Sequence, residues 1–218
     1  PVEDILKEID HLVYRYNIRN VKIWDELFTL KQDRVLSICS GLGDYDLNLW
    51  AYARLDTITE KMLKVMKRGG INWLAYGFES VADKKFKHTE AVIKMTRDAG
   101  INIIANFMFG APGTTQEDDQ RSIDFAMKHL FEFVNFYDAK PYPGSQWYSD
   151  LPVQTFHSRV TFKPTDWSIF SQYVNISPFR QKAFDEYFTN PFYLLMIENK
   201  WGRQAVDQIK AMTQWKFR

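Results

Sequence analysis

The sequence predicts an α/β fold of parallel strands joined by helices, and three observations carry that reading. Short apolar runs alternate with amphipathic segments at a spacing of roughly 25 to 31 residues, the repeat of a strand–helix unit. Runs such as "INIIANFMF" are almost continuously apolar, as strands are when both faces of a sheet are covered. Gly69, Gly70 and Gly100 stand where the preceding helices need C-terminal caps. A closed barrel and a doubly wound open sheet both satisfy this pattern.

In chain order, "VEDILKEIDHLVYRY" places Val2, Ile5, Leu6, Ile9, Leu12, Val13 and Tyr16 on one helical face, and "NVKIWDE" follows as a short strand. Helix "DRVLSICSGL" then leads to strand "LNLWAYAR", helix "TEKMLKVMKRGG" to "NWLAYGFES", and helix "TEAVIKMTRDAG" to "INIIANFMFG". The last such unit is helix "TQEDDQRSIDFAMKHL" with strand "FEFVNFYDAKPYPG". Thr114 or Thr115 is its N-cap, and Glu117, Asp118 and Asp119 suit the positive end of that helix. From about Asp166 the period is helical with no intervening strand; "TNP" punctuates this region, with Thr189 or Asn190 as N-cap and Pro191 at the first helical position.

A chain of 218 residues holds one sizeable core, or one domain with a small appendage. The net charge of +1 gives no broad electrostatic footprint for nucleic acid, and the one basic cluster, Lys84 to His88, is short enough to be a solvated turn. The aromatic share of 16% is spread along the chain, which fits core packing better than a stacking platform. The single cysteine, Cys39, excludes a disulfide within the chain and reads as a buried thiol. No run of about 18 apolar residues is present and Pro1 onward lacks the order of a signal peptide, so the expected location is cytoplasmic without a membrane span. Beginning at "PVEDILKEID" without Met, the chain reads as part of something longer.

Parallel α/β folds bind ligands at the carboxyl ends of their strands. Those ends supply Asp25 and Glu26, Arg54 and Asp56, Glu79 and Ser80, Asn106 and Gly110, and finally Asp138, Lys140 and Tyr142. A polar residue closes every apolar run, which argues for a common pocket. Each position also has a plainer reading: Asp25 or Glu26 as a turn cap, Arg54 with Asp56 as a local ion pair, Asn106 as a hydrogen-bonded core amide.

The turn "NFMFGAPGTTQED" lacks the Lys that a phosphate-cradling loop needs after its last Gly. His11, His88, His129 and His157 include no pair at metal-ligand spacing. There is no Gly-x-Ser-x-Gly, so acyl transfer has no visible nucleophile. Two rivals to a cofactor enzyme stay open at this stage: a hydrolase using Asp25, Glu26 and Glu79 as paired carboxylates, and a non-catalytic barrel whose C-terminal helices bind a protein partner.

At the same strand ends the chain resembles radical S-adenosylmethionine enzymes of the subgroup that carries a cobalamin-binding domain. The resemblance rests on "VKIWDELFTL", "AYARLD", "YGFES", "NFMFGAPGTTQED" and "KPYPGS", in that order, together with the helical tail from "FRQKAF" onward. It implies a partial (β/α)6 TIM-like barrel over residues 1–150 and a C-terminal helical extension over 151–218. The family's CxxxCxxC motif is absent, and one cysteine cannot supply the thiolates of a [4Fe–4S] cluster. Truncation, with the cluster ligands and a cobalamin domain lying upstream, is the simplest account of the missing motif; a homologue that has lost the cluster would show the same sequence. Compared with the family, "FESVADKKFKHTEAV" is short, and "YSDLPVQTF" and "NISPFRQ" are similarly abrupt.

The implied activity is reductive cleavage of S-adenosylmethionine to a 5'-deoxyadenosyl radical, with methyl transfer to a small-molecule substrate as the commonest outcome. The resemblance assigns Glu79 to the ribose or amino-acid part of S-adenosylmethionine, with Ser80 beside it, and Arg54 to its carboxylate or to a neighbouring acid. Asp25 or Glu26 would accept from its amino group, and the Phe109–Gly110 turn would approach adenine through backbone. Asn106 would face the barrel interior, with Lys140 and Tyr142 nearer adenine or substrate.

Overall fold

The structure is a computed structural model that describes residues 1–26, 28–80, 88–111, 113–139, 142, 144–149 and 176–214. Lys140, residues 81–87 of the first abrupt segment, 150–156 of the second and Asn175 at the start of the third fall outside these residues. The elements run α1 (Val2–Tyr16), β1 (Asn20–Ile23), α2 (Gln32–Gly41), β2 (Asn48–Ala53), α3 (Glu60–Arg68), β3 (Ile71–Glu79), α4 (Thr89–Asp98), β4 (Asn102–Phe109), α5 (Gln116–His129) and β5 (Phe133–Asp138). The short α6 (Gln146–Ser149) follows, then α7 (Ile176–Phe188), α8 (Pro191–Trp201) and α9 (Arg203–Thr213). Short 3-10 turns lie after β1 (Phe28–Leu30) and after β2 (Leu55–Thr57).

The strands form one five-stranded sheet in the order β1-β2-β3-β4-β5, with β1–β2 and β2–β3 pairing in parallel. Sequential neighbours joined by helices are the outcome that the strand–helix spacing predicts. Two strands are shorter than their apolar runs suggest. After Ile23 the chain leaves the ladder, and the carbonyl of Asp25 accepts instead from the Phe28 amide at 3.2 Å. The last strand stops at Asp138, ahead of "KPYPG".

The chain divides into two compact units. The first comprises residues 1–78, 84–106 and 131–134. In it, alternate residues of β2 take opposite roles: Leu49, Ala51 and Ala53 are buried, while Asn48 is exposed and Trp50 and Tyr52 are half-buried. The buried apolar residues of the helices include Val35, Ile38 and Cys39 of α2, Met62, Leu63 and Met66 of α3, and Val92 and Ile93 of α4. At Gly69 an added Cβ would meet the Cys39 carbonyl oxygen at 2.5 Å, so the approach of this residue to α2 demands glycine. Buried polar groups pair at two places in this core. The Tyr76 and Thr96 hydroxyls meet at 2.9 Å, and Glu132 Oε2 accepts from the Ile103 amide at 2.8 Å.

The second unit comprises residues 79–83, 107–130 and 135–218. Phe109 stacks on Phe136 at 5.2 Å between centroids with an interplanar angle of 18°, and Phe136 meets Tyr187 of α7 edge-on at 6.3 Å. Thr115 caps α5 in a reciprocal box with Asp118: its side chain accepts from the Asp118 amide at 3.3 Å, and its own amide donates to Asp118 Oδ2 at 2.8 Å. Asn190 caps α8, Oδ1 accepting from the amides of Phe192 and Tyr193, with Pro191 opening the helix.

Candidate functional site

In the first unit the turns after β1 and β2 are tied together by hydroxyls. The Arg54 amide donates to Thr29 Oγ1 at 3.2 Å, and the Thr57 hydroxyl donates to the Arg54 carbonyl at 2.9 Å. With its proton so engaged, Thr57 accepts in the 2.7 Å contact between the two hydroxyls, and Thr29 is the donor. The Arg54 backbone is thereby held on both sides. Its side chain forks onto Asp56, Nε to Oδ1 at 3.0 Å and Nη2 to Oδ2 at 2.7 Å, with both side chains exposed. This hydrogen-bonded pairing raises the Arg54 pKa. Asp25 pairs with Arg34 of α2 at 2.8 Å, and Glu26 is exposed. Asn106, half-buried on β4, donates its amide to the Tyr76 carbonyl at 3.1 Å, which is the core-amide arrangement.

The second unit holds the remaining candidates. Gly110 has φ of 70°, and its amide donates at 2.8 Å to Oδ2 of Asp119, a carboxylate with 0% exposure. The Phe109 carbonyl accepts from the Ala139 amide at 2.8 Å, which fixes the ends of β4 and β5 side by side. Thr114 turns back through its hydroxyl to the Ala111 carbonyl at 2.8 Å. Asp118, held by the Thr115 amide and hydroxyl and by Arg121, has its pKa lowered, the Thr115 amide being the largest cause. At the end of β5, Asp138 is nearly buried and meets Arg180 of α7 at 3.1 Å. Phe179, the neighbour of Arg180, meets the Phe109 ring edge-on at 5.3 Å. Tyr142 is exposed.

Glu79 closes β3 with an exposed side chain and φ of 56°, and Ser80 after it is buried. A glutamate in the left-handed region carries about 1–2 kcal/mol of backbone strain, which persists only where the surrounding structure imposes it. Strain of this kind clusters at ligand sites.

Sequence reasoning missed Asp119, Arg180 and the Thr29–Thr57 link. A run of three acids at the start of α5, of which the cap uses only one, is the one signal that pointed to Asp119.

No protein-family model matches the chain. An uncharacterised methyltransferase of Pyrococcus horikoshii is 29% identical over 156 residues, covering 66% of this chain and 34% of the relative. Cytidylyl-2-hydroxyethylphosphonate methyltransferase of Streptomyces wedmorensis is 25% identical, covering 66% and 30%. Among solved structures, the radical S-adenosylmethionine methyltransferase TsrM from Kitasatospora setae, with cobalamin and a [4Fe–4S] cluster bound, matches with a TM-score of 0.58 at 19% identity, over 65% of this chain and 32% of that one. The chain has the fold of radical S-adenosylmethionine enzymes.

The chain spans about a third of the length of the relatives it matches. Within the radical S-adenosylmethionine fold, its own residues do not fit an iron–sulfur cluster. Cys39 is buried in α2, burial pushes its thiol pKa up to about 12, and a thiol so disfavoured as thiolate does not ligate iron. Among the described residues no group of three His, Cys, Asp or Glu side chains could hold a metal ion, and no helix is long and apolar enough to cross a membrane. Glu79 offers an exposed carboxylate at the end of β3, whereas Gly110 after β4 is buried and its amide is engaged by Asp119.

Proposed function

We propose that this chain is the barrel portion of a cytoplasmic radical S-adenosylmethionine enzyme, with residues 1–150 as partial barrel and 151–218 as helical extension, and that the whole protein is a cobalamin-dependent methyltransferase. Its substrate is a small molecule, and an upstream domain binds cobalamin. The observation that carries this reading is the similarity over two thirds of the chain to named methyltransferases, coupled with the shared fold. S-adenosylmethionine, when bound and reductively cleaved, supplies the radical that takes hydrogen from substrate.

In this reading Glu79 accepts from the ribose or amino group, and Ser80 orients it. Arg54 exchanges Asp56 for the carboxylate of S-adenosylmethionine, a trade between two exposed partners that costs little. Asp25 or Glu26 receives the amino group. The Gly110 amide is committed to Asp119 and the Ala111 carbonyl to Thr114, so the groups of the Phe109–Gly110 turn that would hold adenine are the Gly110 carbonyl and the Ala111 amide. Asn106 faces the interior, and Lys140 and Tyr142 lie toward adenine or substrate. A carboxylate hydrolase is less well supported, because Asp25 is paired with Arg34.

The test is anaerobic reconstitution of the full-length protein with iron and sulfide. The reading expects the charge-transfer absorbance of a [4Fe–4S] cluster and, after chemical reduction, release of 5'-deoxyadenosine from S-adenosylmethionine. A colourless protein that leaves S-adenosylmethionine intact sinks it.

A further inference from the structure

The first unit contains a cavity of about 430 Å³ that the function proposed above does not use. It lies toward the amino ends of the strands, on the face of the sheet opposite the buried Leu49 and Ala51. Its walls come from strand register. Asn20 of β1 pairs with Asn48 of β2, Lys22 with Trp50, and Trp50 in turn with Trp73 of β3, so these side chains share one face across three strands. Ile104 and Phe133 complete the apolar wall.

The polar groups at this cavity are mainly donors. The Lys22 ammonium lies 3.8 Å from the ring centroid of Trp24, 4.0 Å from Trp50 and 5.1 Å from Tyr52. Among the described residues Lys22 makes no ion pair, and no acidic residue lines the cavity. The Trp50 indole nitrogen is buried with no acceptor among the described residues. Asn48 donates its amide to Asn20 Oδ1 at 2.8 Å, which leaves the Asn20 amide as a further donor. Flat aromatic walls favour a planar ring, and a cation with unmet donors favours an anionic acceptor.

We propose that this cavity binds a planar aromatic carboxylate, its ring against Trp50 and Trp73 and its carboxylate on Lys22. The volume suits a ligand of about two fused rings. Binding here needs neither cluster nor S-adenosylmethionine, so its failure leaves the radical reading untouched, and failure of that reading leaves this site untouched.

The test is calorimetric titration of the unaltered full-length protein with 2-naphthoate and with its neutral analogue 2-naphthamide. The site predicts one-to-one binding of naphthoate and an affinity for naphthamide lower by about tenfold or more, the value of a charge-assisted contact. Lys22→Met should lower naphthoate affinity to the naphthamide level and leave naphthamide unchanged, while Lys22→Arg keeps the preference for the acid. The indole N–H resonance of Trp50 should shift on addition of naphthoate. Absence of naphthoate binding, equal affinity for acid and amide, or an unmoved Trp50 resonance each overturns the proposal. The acid–amide comparison uses the unaltered protein, so the outcome does not depend on a variant folding.

Discussion

After β4, the turn at Gly110 hangs on Asp119, a carboxylate with no solvent exposure, and the end of β5 is held by the nearly buried Asp138 against Arg180. After β2, by contrast, the Arg54 backbone is pinned by Thr29 and Thr57, and its guanidinium grips an exposed Asp56. The two arrangements use similar chemistry in different dielectrics. A buried charge that loses its partner is left uncompensated, whereas exposed partners are replaced by water at little cost. The turn after β4 is therefore built to stay in place, and the Arg54 side chain is built to change partner.

The contrast can be broken by substitution. Arg180→Met should have the largest effect, about 3 kcal/mol of lost stability in urea denaturation, because it leaves the Asp138 charge buried. The double variant Arg180→Met with Asp138→Asn should recover part of that loss. Asp119→Ala should cost about 2 kcal/mol by the same measurement, since the Gly110 amide loses its buried charged acceptor.

A smaller effect concerns pH. The Asp118 carboxyl is held below its ordinary pKa, chiefly by the Thr115 amide. Its folded value thus lies below its unfolded value of about 3.9, so its stabilising contribution is complete above that pH and is lost as pH falls through the folded value. Asp118→Asn should flatten this acid limb of the stability profile and leave its neutral-to-basic shape unchanged. At the bottom of the scale, Arg54→Gln should leave the urea midpoint unmoved, as expected for an exposed pair. A marked shift would mean that Arg54 is structural and not free to meet a ligand.

Much of the fold was legible because local rules and tertiary packing agree. The apolar runs became the parallel strands, the glycine at 69 sits at a helix end, and both helix caps fell on one of the two residues offered for each, Thr115 and Asn190. The Arg54–Asp56 pair and the Asn106 core amide were visible as the plainer readings of those positions. What stayed hidden depends on groups brought together by folding. Asp119 reads in sequence as one more acid favouring the helix dipole, and nothing near Asp138 in the chain announces Arg180. The left-handed backbone at Glu79 is equally silent, because glutamate has no preference for it and tertiary context imposes it. The aromatic share of the composition read as core, yet Trp24, Trp50 and Tyr52 gather around the Lys22 ammonium.

The most direct test of the account is the affinity of the anaerobically reconstituted full-length protein for S-adenosylmethionine, compared with that of its Glu79→Ala variant by equilibrium dialysis. Loss of a charged acceptor to the ligand predicts a fall of about tenfold or more, with the cluster absorbance retained. Equal affinity in the two proteins would contradict the assignment of the β3 end as the place where S-adenosylmethionine is held.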